Sequence, residues 1–261
     1  MQGEFYIVRI MKKFEISANL LKWIALITML IDHFGACIWL YLGKSGLMSF
    51  QDPAFSVPYY ILRGIGRLAF PLFIFLLAEG FYYTKSRKKY LIRLTIFAFL
   101  SEIPFDLALF LTNPQISSGQ VTTWAHQNVY FTLTLGFVSM LLIDWIREKG
   151  WRKEVEIPGL IGAVALPAAL AQLIHTDYGA IGVAAIAAAW ILRERRGGLT
   201  ELIGIIFILT FSSSLETLAL FDLPLIAAYH GKQGKKGNRW FFYAFYPIHL
   251  FLLFVLRMLI F

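Results

Sequence analysis

Charged side chains are scarce in this sequence. Asp, Glu, Lys and Arg make up 15% of the 261 residues, whereas hydrophobic residues make up 58%. Soluble domains carry about 25% charged residues, so the composition excludes an ordinary soluble enzyme and predicts an integral membrane protein. The length suits one helical bundle, and we therefore expect a single transmembrane domain over 19–261 behind a short basic lead, 1–18.

Cysteine and the common catalytic motifs are also rare or missing. The only cysteine is Cys37, which excludes an intramolecular disulfide. The sequence has no Cys/His cluster, H-E-x-x-H, Walker loop, G-x-G-x-x-G or G-x-S-x-G, so we predict no metal site, ATP-driven pump or serine hydrolase. The net charge of +8 does not indicate a nucleic-acid partner, because the basic residues are confined to alternate loops.

Long apolar runs, separated by Gly, Pro and charge clusters, predict an all-α polytopic bundle. A helix needs about 20 apolar residues to cross about 30 Å of hydrocarbon. Runs five to eight are shorter than this, so the pattern is compatible with eight to ten crossings around a preferred count of nine. The predicted spans are 19–42, 59–83, 90–112, 127–146, 157–174, 178–192, 199–213, 215–230 and 240–260.

Lysine and arginine alternate strictly between the loops. Eighteen lie in the N-terminal lead and in every second loop, against one, Lys44, in the loops between them. The positive-inside rule therefore places the N-terminus in the cytoplasm and predicts a multi-pass membrane protein. The first apolar run is too long for a signal peptide and lacks a cleavage site, so we expect it to be retained. Met11 is an alternative candidate start.

The first span carries Lys22, Asp32 and His33. An ionised centre at mid-membrane costs at least ~2.5–3.5 kcal/mol, so such residues normally face protein or a watery cavity. Lys22 and His33 are separated by about 1100° of helical rotation, which brings them within ~20° of one face and about 16.5 Å apart along the axis. We expect both to line one cavity open to the cytoplasm, with Asp32 pointing about 100° away from His33.

Two further spans carry paired charges. Arg63 and Arg67 share a helix face in the second span, and Glu102 and Asp106 share one in the third. The predicted orientation places the four side chains at similar depth, so we expect the arginines to meet these acids and one carboxylate to orient His33. Two alternatives stay open: a salt-bridge cluster that only fixes helix packing, and arginines that snorkel to headgroups.

The fourth and last spans add candidates on the predicted outer side. Asn128 begins the fourth span, either as a helix cap or as a hydrogen-bonding site residue. Tyr243, Tyr246 and His249 recur at three-residue steps in the last span and can share one face. A histidine this deep in a span is predicted to line the site, whereas Arg257 near the end is predicted to snorkel.

Several of these segments resemble one known family. The Asp32-His33 pair, the segments GRLAFPLFIFLLAEGFYYT and FLSEIPFDL, the Asn-x-x-Phe-Thr start of the fourth span and the closing YAFYPIHL resemble the TraX family of bacterial membrane proteins. The resemblance runs over roughly residues 19 to 250. The Lys22-x10-His33 spacing is similar to the Arg/Lys-x10-His pattern of membrane acyltransferases that modify surface polysaccharides.

This resemblance implies an acyltransferase of a bacterial inner membrane. TraX is known as the acetylase of the pilin N-terminus, so acetyl-CoA would enter from the cytosol and an amine or hydroxyl would be acylated at or beyond the outer half of the membrane. A histidine with a pKa near 6.5 can take a proton from either acceptor. The acceptor stays unknown among a peptide N-terminus, a glycan and a lipid. Membrane lipids and acyl-CoA are the other expected partners, and a homo-oligomer stays open.

The predicted site residues fall into three groups, and two rival functions remain. A proton-linked transporter would use the same residues as a relay, although no internal repeat supports it, and a non-catalytic scaffold would use them for packing alone. The predicted catalytic group is His33, Asp32, Glu102 and Asp106, the predicted cofactor contacts are Lys22, Arg63 and Arg67, and the predicted acceptor side is Asn128, Tyr246 and His249.

Overall fold

A computed structural model describes residues 15–111, 113–196, 198–235 and 237–261. Throughout these ranges the regular structure is helical, and two isolated bridges are the only β-type pairings among the described residues. The predicted all-α class is therefore confirmed. The candidate start at Met11 and most of the basic lead lie outside the described residues.

Nine helices of twelve or more residues build the described part of the bundle. They are α1 (Ala18–Lys44), α2 (Pro53–Gly66), α3 (Ala69–Tyr83), α4 (Arg87–Leu109), α5 (Val129–Glu148), α6 (Lys153–Leu173), α7 (Gly179–Arg196), α8 (Gly198–Leu209) and α9 (Arg239–Ile260). Shorter pieces are the helix Asn113–Ser117, the 3₁₀ segment Ser214–Asp222 and the helix Leu223–Ala227.

Membrane-spanning length and composition are found in five helical stretches of the described chain. They are Ala18–Lys44, Pro53–Tyr83, Val129–Glu148, Lys153–Leu173 and Trp240–Ile260. The α4 helix has 23 residues but carries several charges, and the apolar parts of α7 and α8 are shorter than a full crossing. The protein is thus a membrane protein, and the count of nine crossings stays a prediction.

The second predicted span, 59–83, is two helices rather than one. Pro71 has no N–H to donate to the carbonyl of Arg67, and its ring would collide with that carbonyl in a continuous helix. The chain bridges the break with bonds of 3₁₀ type, from Arg67 N to Gly64 O at 3.2 Å and from Leu68 N to Ile65 O at 3.3 Å. The Arg67 side chain at this break is largely buried.

The predicted span 215–230 is not an α-helix over its length. Its first part is the 3₁₀ segment, which begins where Ser213 Oγ accepts from Leu215 N at 3.2 Å. Pro224 then opens the short helix Leu223–Ala227, because proline is tolerated in a first turn but interrupts a longer helix.

The α3 helix lies at the centre of the bundle. Most of its side chains are buried, among them Leu72, Phe75 and Phe81. It packs against α1, α7, α8 and α5, while α9 packs on α4 and α1. We call the end of the bundle that carries the lysine- and arginine-rich loops the basic end, and the opposite end the far end. The α3 helix also borders the two cavities that form the candidate site.

Candidate functional site

A polar cavity of about 540 Å³ lies beside α1, α2 and α3. We call it the histidine cavity, because His33 and the ionisable residues around it form its polar wall. The aromatic rings of Phe70, Phe73 and Tyr246 form part of the remaining wall. The ionisable lining side chains are Asp32, His33, Lys44, Arg63, Arg67, Asp177, Tyr178, Glu216 and Tyr246.

His33 contacts a second histidine. Its Nδ1 lies 2.6 Å from His249 Nε2, and His249 Nδ1 lies 2.7 Å from the carbonyl oxygen of Phe245. A carbonyl only accepts, so His249 Nδ1 carries a hydrogen and the neutral ring presents Nε2 as an acceptor. His33 Nδ1 must then donate, which leaves His33 Nε2 unprotonated. The pair is therefore arranged so that His33 can act as a base.

Both histidines are closely packed. The side chains are buried, and their rings are nearly parallel, with an angle of 12° and a centroid separation of 4.9 Å. Tyr246 meets His33 edge to face at 5.7 Å. The contact between His33 and His249 joins α1 to α9. His249 is not among the residues that line the histidine cavity, so it supports His33 from behind and its predicted place in the wall of the site stays a prediction.

Asp32 binds the two arginines of the second predicted span. Its Oδ2 lies 2.7 Å from Arg63 Nη1 and its Oδ1 lies 3.0 Å from Arg67 Nη2, while Arg67 Nη1 reaches Glu216 Oε1 at 2.9 Å. The approach of α1 to α2 depends on Gly66, since a Cβ there would overlap the Asp32 carboxylate. As was predicted, Asp32 points away from His33 and does not orient it, because its carboxylate binds the two arginines.

The expected pairing of Arg63 and Arg67 with the acids of the third span is wrong. Glu102 Oε2 accepts from Asn128 Nδ2 at 2.6 Å, and Asp106 accepts from the backbone N–H of Thr123 at 2.7 Å. The physical reason is that these α4 side chains face the segment that leads into α5, whereas the arginines face α1. Neither acid contacts His33, so the expectation that one of them orients this ring is also wrong.

Asn128 serves the same junction. Its Oδ1 accepts from Tyr130 N at 3.0 Å and caps α5, and its Nδ2 donates to Ala98 O at 2.8 Å as well as to Glu102. The helix-cap alternative for this residue is therefore confirmed. Asn128 is fully buried and is not among the residues that line the histidine cavity.

Lys22 lines a different cavity. This lysine cavity has a volume of about 310 Å³ and lies at the basic end, bordered by α1, α3, α4 and α9. The Lys22 Nζ lies 5.4 Å from the ring centroid of Phe242. The expectation that Lys22 and His33 line one common cavity is wrong, because bulky apolar side chains occupy the level between them.

A narrow aromatic neck occupies that level. It is a cavity of about 60 Å³ that shares Met29, Phe73 and Tyr246 with the histidine cavity and shares Phe73, Tyr130 and Phe242 with the lysine cavity. Phe73 thus borders all three spaces. Lys22 and His33 stand at the two ends of one line of cavities.

Several residues of these cavities were not predicted. Glu216 and Asp177 line the histidine cavity, and Tyr178 stacks on Phe70 at 3.7 Å in a left-handed backbone conformation with φ 64°. Such a φ is uncommon for a bulky residue and often marks a constrained site. Glu216 could have been predicted as a site residue, because it is a carboxylate within an apolar run of the sequence.

The last helix contributes a further correction. Arg257 does not snorkel: its exposed fraction is 4% and its guanidinium donates to Leu107 O at 2.9 Å and to Ala108 O at 3.1 Å. The side chain satisfies carbonyls at the end of α4, which have no partner within that helix. It therefore fastens α9 to α4.

Residues 17–257 match the model of a family described as TraX protein. A segment of 132 residues is 33% identical to "Probable fimbrial assembly protein FimC, serogroup H1" of Dichelobacter nodosus, and the match covers 50% of this chain and 48% of that protein. The chain thus matches about half the length of this curated relative. No solved structure matches.

Proposed function

Since the chain belongs to the TraX family, we propose that it is a membrane-embedded acyltransferase that uses acetyl-CoA from the cytosol. The acceptor would be an amine or hydroxyl at the membrane or on its outer side. The observation that supports this best is the line of cavities from Lys22 through the aromatic neck to the unprotonated Nε2 of His33. A flexible thioester arm could run along this line while its phosphates stay at the basic end.

The proposed membrane arrangement follows from the charges. About nine crossings with the basic end in the cytoplasm of a bacterial inner membrane would open the lysine cavity to cytosolic acetyl-CoA. The histidine cavity would then lie toward the outer half, where an acceptor could reach it. The printed name of the similar fimbrial assembly protein makes a fimbrial subunit one candidate acceptor, beside a glycan or a lipid.

In the proposed reaction, His33 is the general base. Its Nε2 takes the proton of the acceptor N–H or O–H as the acceptor atom bonds to the thioester carbonyl carbon. The carbon–sulfur bond then breaks, and the proton passes from His33 to the departing sulfur, so CoA leaves as the thiol. The histidine returns to its starting state, and atoms and charge balance.

His249 is proposed as the residue that positions this base. The hydrogen bond from His33 Nδ1 fixes the tautomer with its lone pair on Nε2, and it stabilises the positive charge that His33 gains when it takes a proton. The Phe245 carbonyl fixes His249 in turn. His249 would thus take the role of orienting His33, which was predicted for Glu102 or Asp106.

The arginine network is proposed to form the acceptor side. Arg63 and Arg67 lie in the histidine cavity and not with Lys22, so a contact with the acceptor fits their position better than the predicted contact with the cofactor. Their bonds to Asp32 and Glu216 hold both guanidinium groups in place. A substrate would then meet a preformed polar wall.

The rival proposal is a proton-linked transporter. Two cavities that face opposite ends and meet at a closed aromatic neck would also suit a solute pathway. The two functions predict different products, since a transporter would leave acetyl-CoA intact.

A direct assay separates these proposals. The purified protein would be incubated with acetyl-labelled acetyl-CoA at up to near-millimolar concentration, and bound donor and released acetyl groups would be measured. The proposed function predicts binding and a slow release to water that His33→Ala abolishes. Failure of the wild-type protein to bind acetyl-CoA would refute it, and release unchanged by His33→Ala would refute the role of the base.

A further inference from the structure

The lysine cavity holds an imbalance of charge. Its described lining residues include two cations, Lys22 and Arg93, and no carboxylate. A smaller cavity of about 180 Å³ adjoins it and is lined by one acid, Glu79. Both oxygens of Glu79 are already bonded, to Arg193 Nε at 2.7 Å and to the Tyr229 hydroxyl at 2.8 Å. Among the described residues that line these two cavities, no acid is therefore left over for Lys22 or Arg93.

Arg93 differs from the other arginines with described side chains in the helices. Arg63 and Arg67 bind carboxylates, Arg193 binds Glu79, and Arg257 donates to backbone carbonyls. For Arg93 the described part of the chain supplies no ion pair, and its Nε is buried without a hydrogen-bond partner.

Aromatic rings hold the Arg93 side chain in the cavity wall. Its guanidinium carbon lies 5.5 Å from the ring centroid of Tyr90 and 5.8 Å from that of Tyr243. Such contacts orient a guanidinium and leave its edge free to donate hydrogen bonds. Arg93 follows the start of α4 by six residues, about 9 Å, and Lys22 follows the start of α1 by four, about 6 Å, so the two cations lie at similar depth.

We infer that the lysine cavity is a phosphate-ester site in which Arg93 and Lys22 together bind the phosphate groups of the acyl donor. An uncompensated pair of cations at this depth is costly unless an anion joins it. The planar guanidinium fits two phosphate oxygens at once, and the lysine adds a second, flexible donor. The assignment of donor phosphates rests on the proposed function, because a phosphatidyl headgroup offers the same chemistry.

Binding measurements on the full-length protein in nanodiscs test this site. The probes are coenzyme A, inorganic pyrophosphate and pantetheine, which shares the thiol arm but has no phosphate. Arg93→Gln should weaken coenzyme A and pyrophosphate by about 10- to 100-fold, as expected for loss of charge-assisted hydrogen bonds, and should leave pantetheine unchanged. Arg93→Lys should restore part of the affinity. Lys88→Gln removes one charge from an exposed position of the same helix and should change nothing.

Different results would contradict the phosphate site, its assignment to the acyl donor, or the proposed function. Wild-type affinity for coenzyme A and pyrophosphate in a correctly folded Arg93→Gln protein would overturn the site, as would an equal loss for pantetheine. Competition by phosphatidylglycerol that depends on Arg93, with coenzyme A binding unaffected by the substitution, would overturn the assignment to the donor in favour of a lipid headgroup. Binding of coenzyme A that needs Arg93 without any acetyl transfer would support the site and refute the proposed function alone.

Discussion

The two cavities of this protein differ in whether their cationic side chains have carboxylate partners. In the histidine cavity, Arg63 and Arg67 are matched by Asp32 and Glu216 at distances of 2.7 to 3.0 Å. In the lysine cavity, the described lining holds Lys22 and Arg93 with no acid beside them. A matched network can be rigid before any substrate arrives, whereas an unmatched pair of cations is completed by a ligand. The histidine cavity therefore fits a preformed reaction chamber, and the lysine cavity fits an anion-binding entrance.

The largest effect is expected at the base of the histidine cavity. His33→Ala should lower acetyl transfer by about 10²- to 10⁴-fold, because proton transfer by a positioned base is lost. Coenzyme A binding, measured by calorimetry, should not change, since His33 lies beyond the neck from the lysine cavity. His249→Ala should cause a smaller loss, because the base remains and only its orientation is impaired. A loss of binding that parallels the loss of rate would contradict this division of roles.

Breaking the charge balance of the histidine cavity should unfold the protein more easily. Asp32→Ala leaves Arg63 and Arg67 without their shared carboxylate, and removal of one partner from a buried ion pair costs about 3–5 kcal/mol. We expect a clear fall in the thermal midpoint in detergent. Asp52→Ala, which removes only the cap at Ala54 N, should cost about 1 kcal/mol. Equal midpoints for the two variants would show that the network carries little stability.

Adding an acid to the lysine cavity should make it resemble the histidine cavity. Thr84 lines the lysine cavity, so Thr84→Glu introduces a carboxylate that competes with phosphate for Lys22 and Arg93. Coenzyme A binding should weaken by about tenfold or more at low salt, the effect of one like charge on a bound anion. Ser118→Glu adds the same charge at an exposed position and serves as the control. Unchanged affinity in Thr84→Glu would contradict the cationic character of the site.

The smallest effect is expected from the acid of α4. Glu102→Gln keeps an acceptor for Asn128 Nδ2 and should change stability by about 1 kcal/mol or less. Acetyl transfer should stay within about twofold of wild type, because Glu102 does not contact His33. A loss comparable with that of His33→Ala would restore Glu102 as a catalytic residue.

Local periodicity predicted part of the site, but contacts between distant segments were out of its reach. The shared face of Lys22 and His33 follows from helical geometry, and both residues do line interior cavities. The contact of His33 with His249 joins residues 216 apart in sequence, so it depends on how α1 packs on α9. The choice of Asp32 rather than Glu102 as the partner of the arginines likewise depends on packing between helices.

Some features of the structure that were not predicted have a local physical cause that can be read from the sequence. Pro71 breaks the second predicted span at Arg67, and proline at this spacing from a carbonyl is a known helix breaker. Arg93 was visible as a charge within an apolar run, yet its lack of an acidic partner emerges only from the surroundings of the side chain. Membrane class, helical fold and family were all predictable from composition and motifs.

A transfer measurement with defined sidedness tests whether the acetyl group crosses the aromatic neck to His33. Proteoliposomes with the basic loops facing outward would receive acetyl-labelled acetyl-CoA outside, and label released as acetate would be counted in the lumen. Lumenal acetate is predicted for the wild-type protein and for Lys88→Gln, and none above background for His33→Ala. Intact acetyl-CoA in the lumen, or acetate released only on the side of addition, would contradict a reaction in which the acetyl group crosses the aromatic neck to His33.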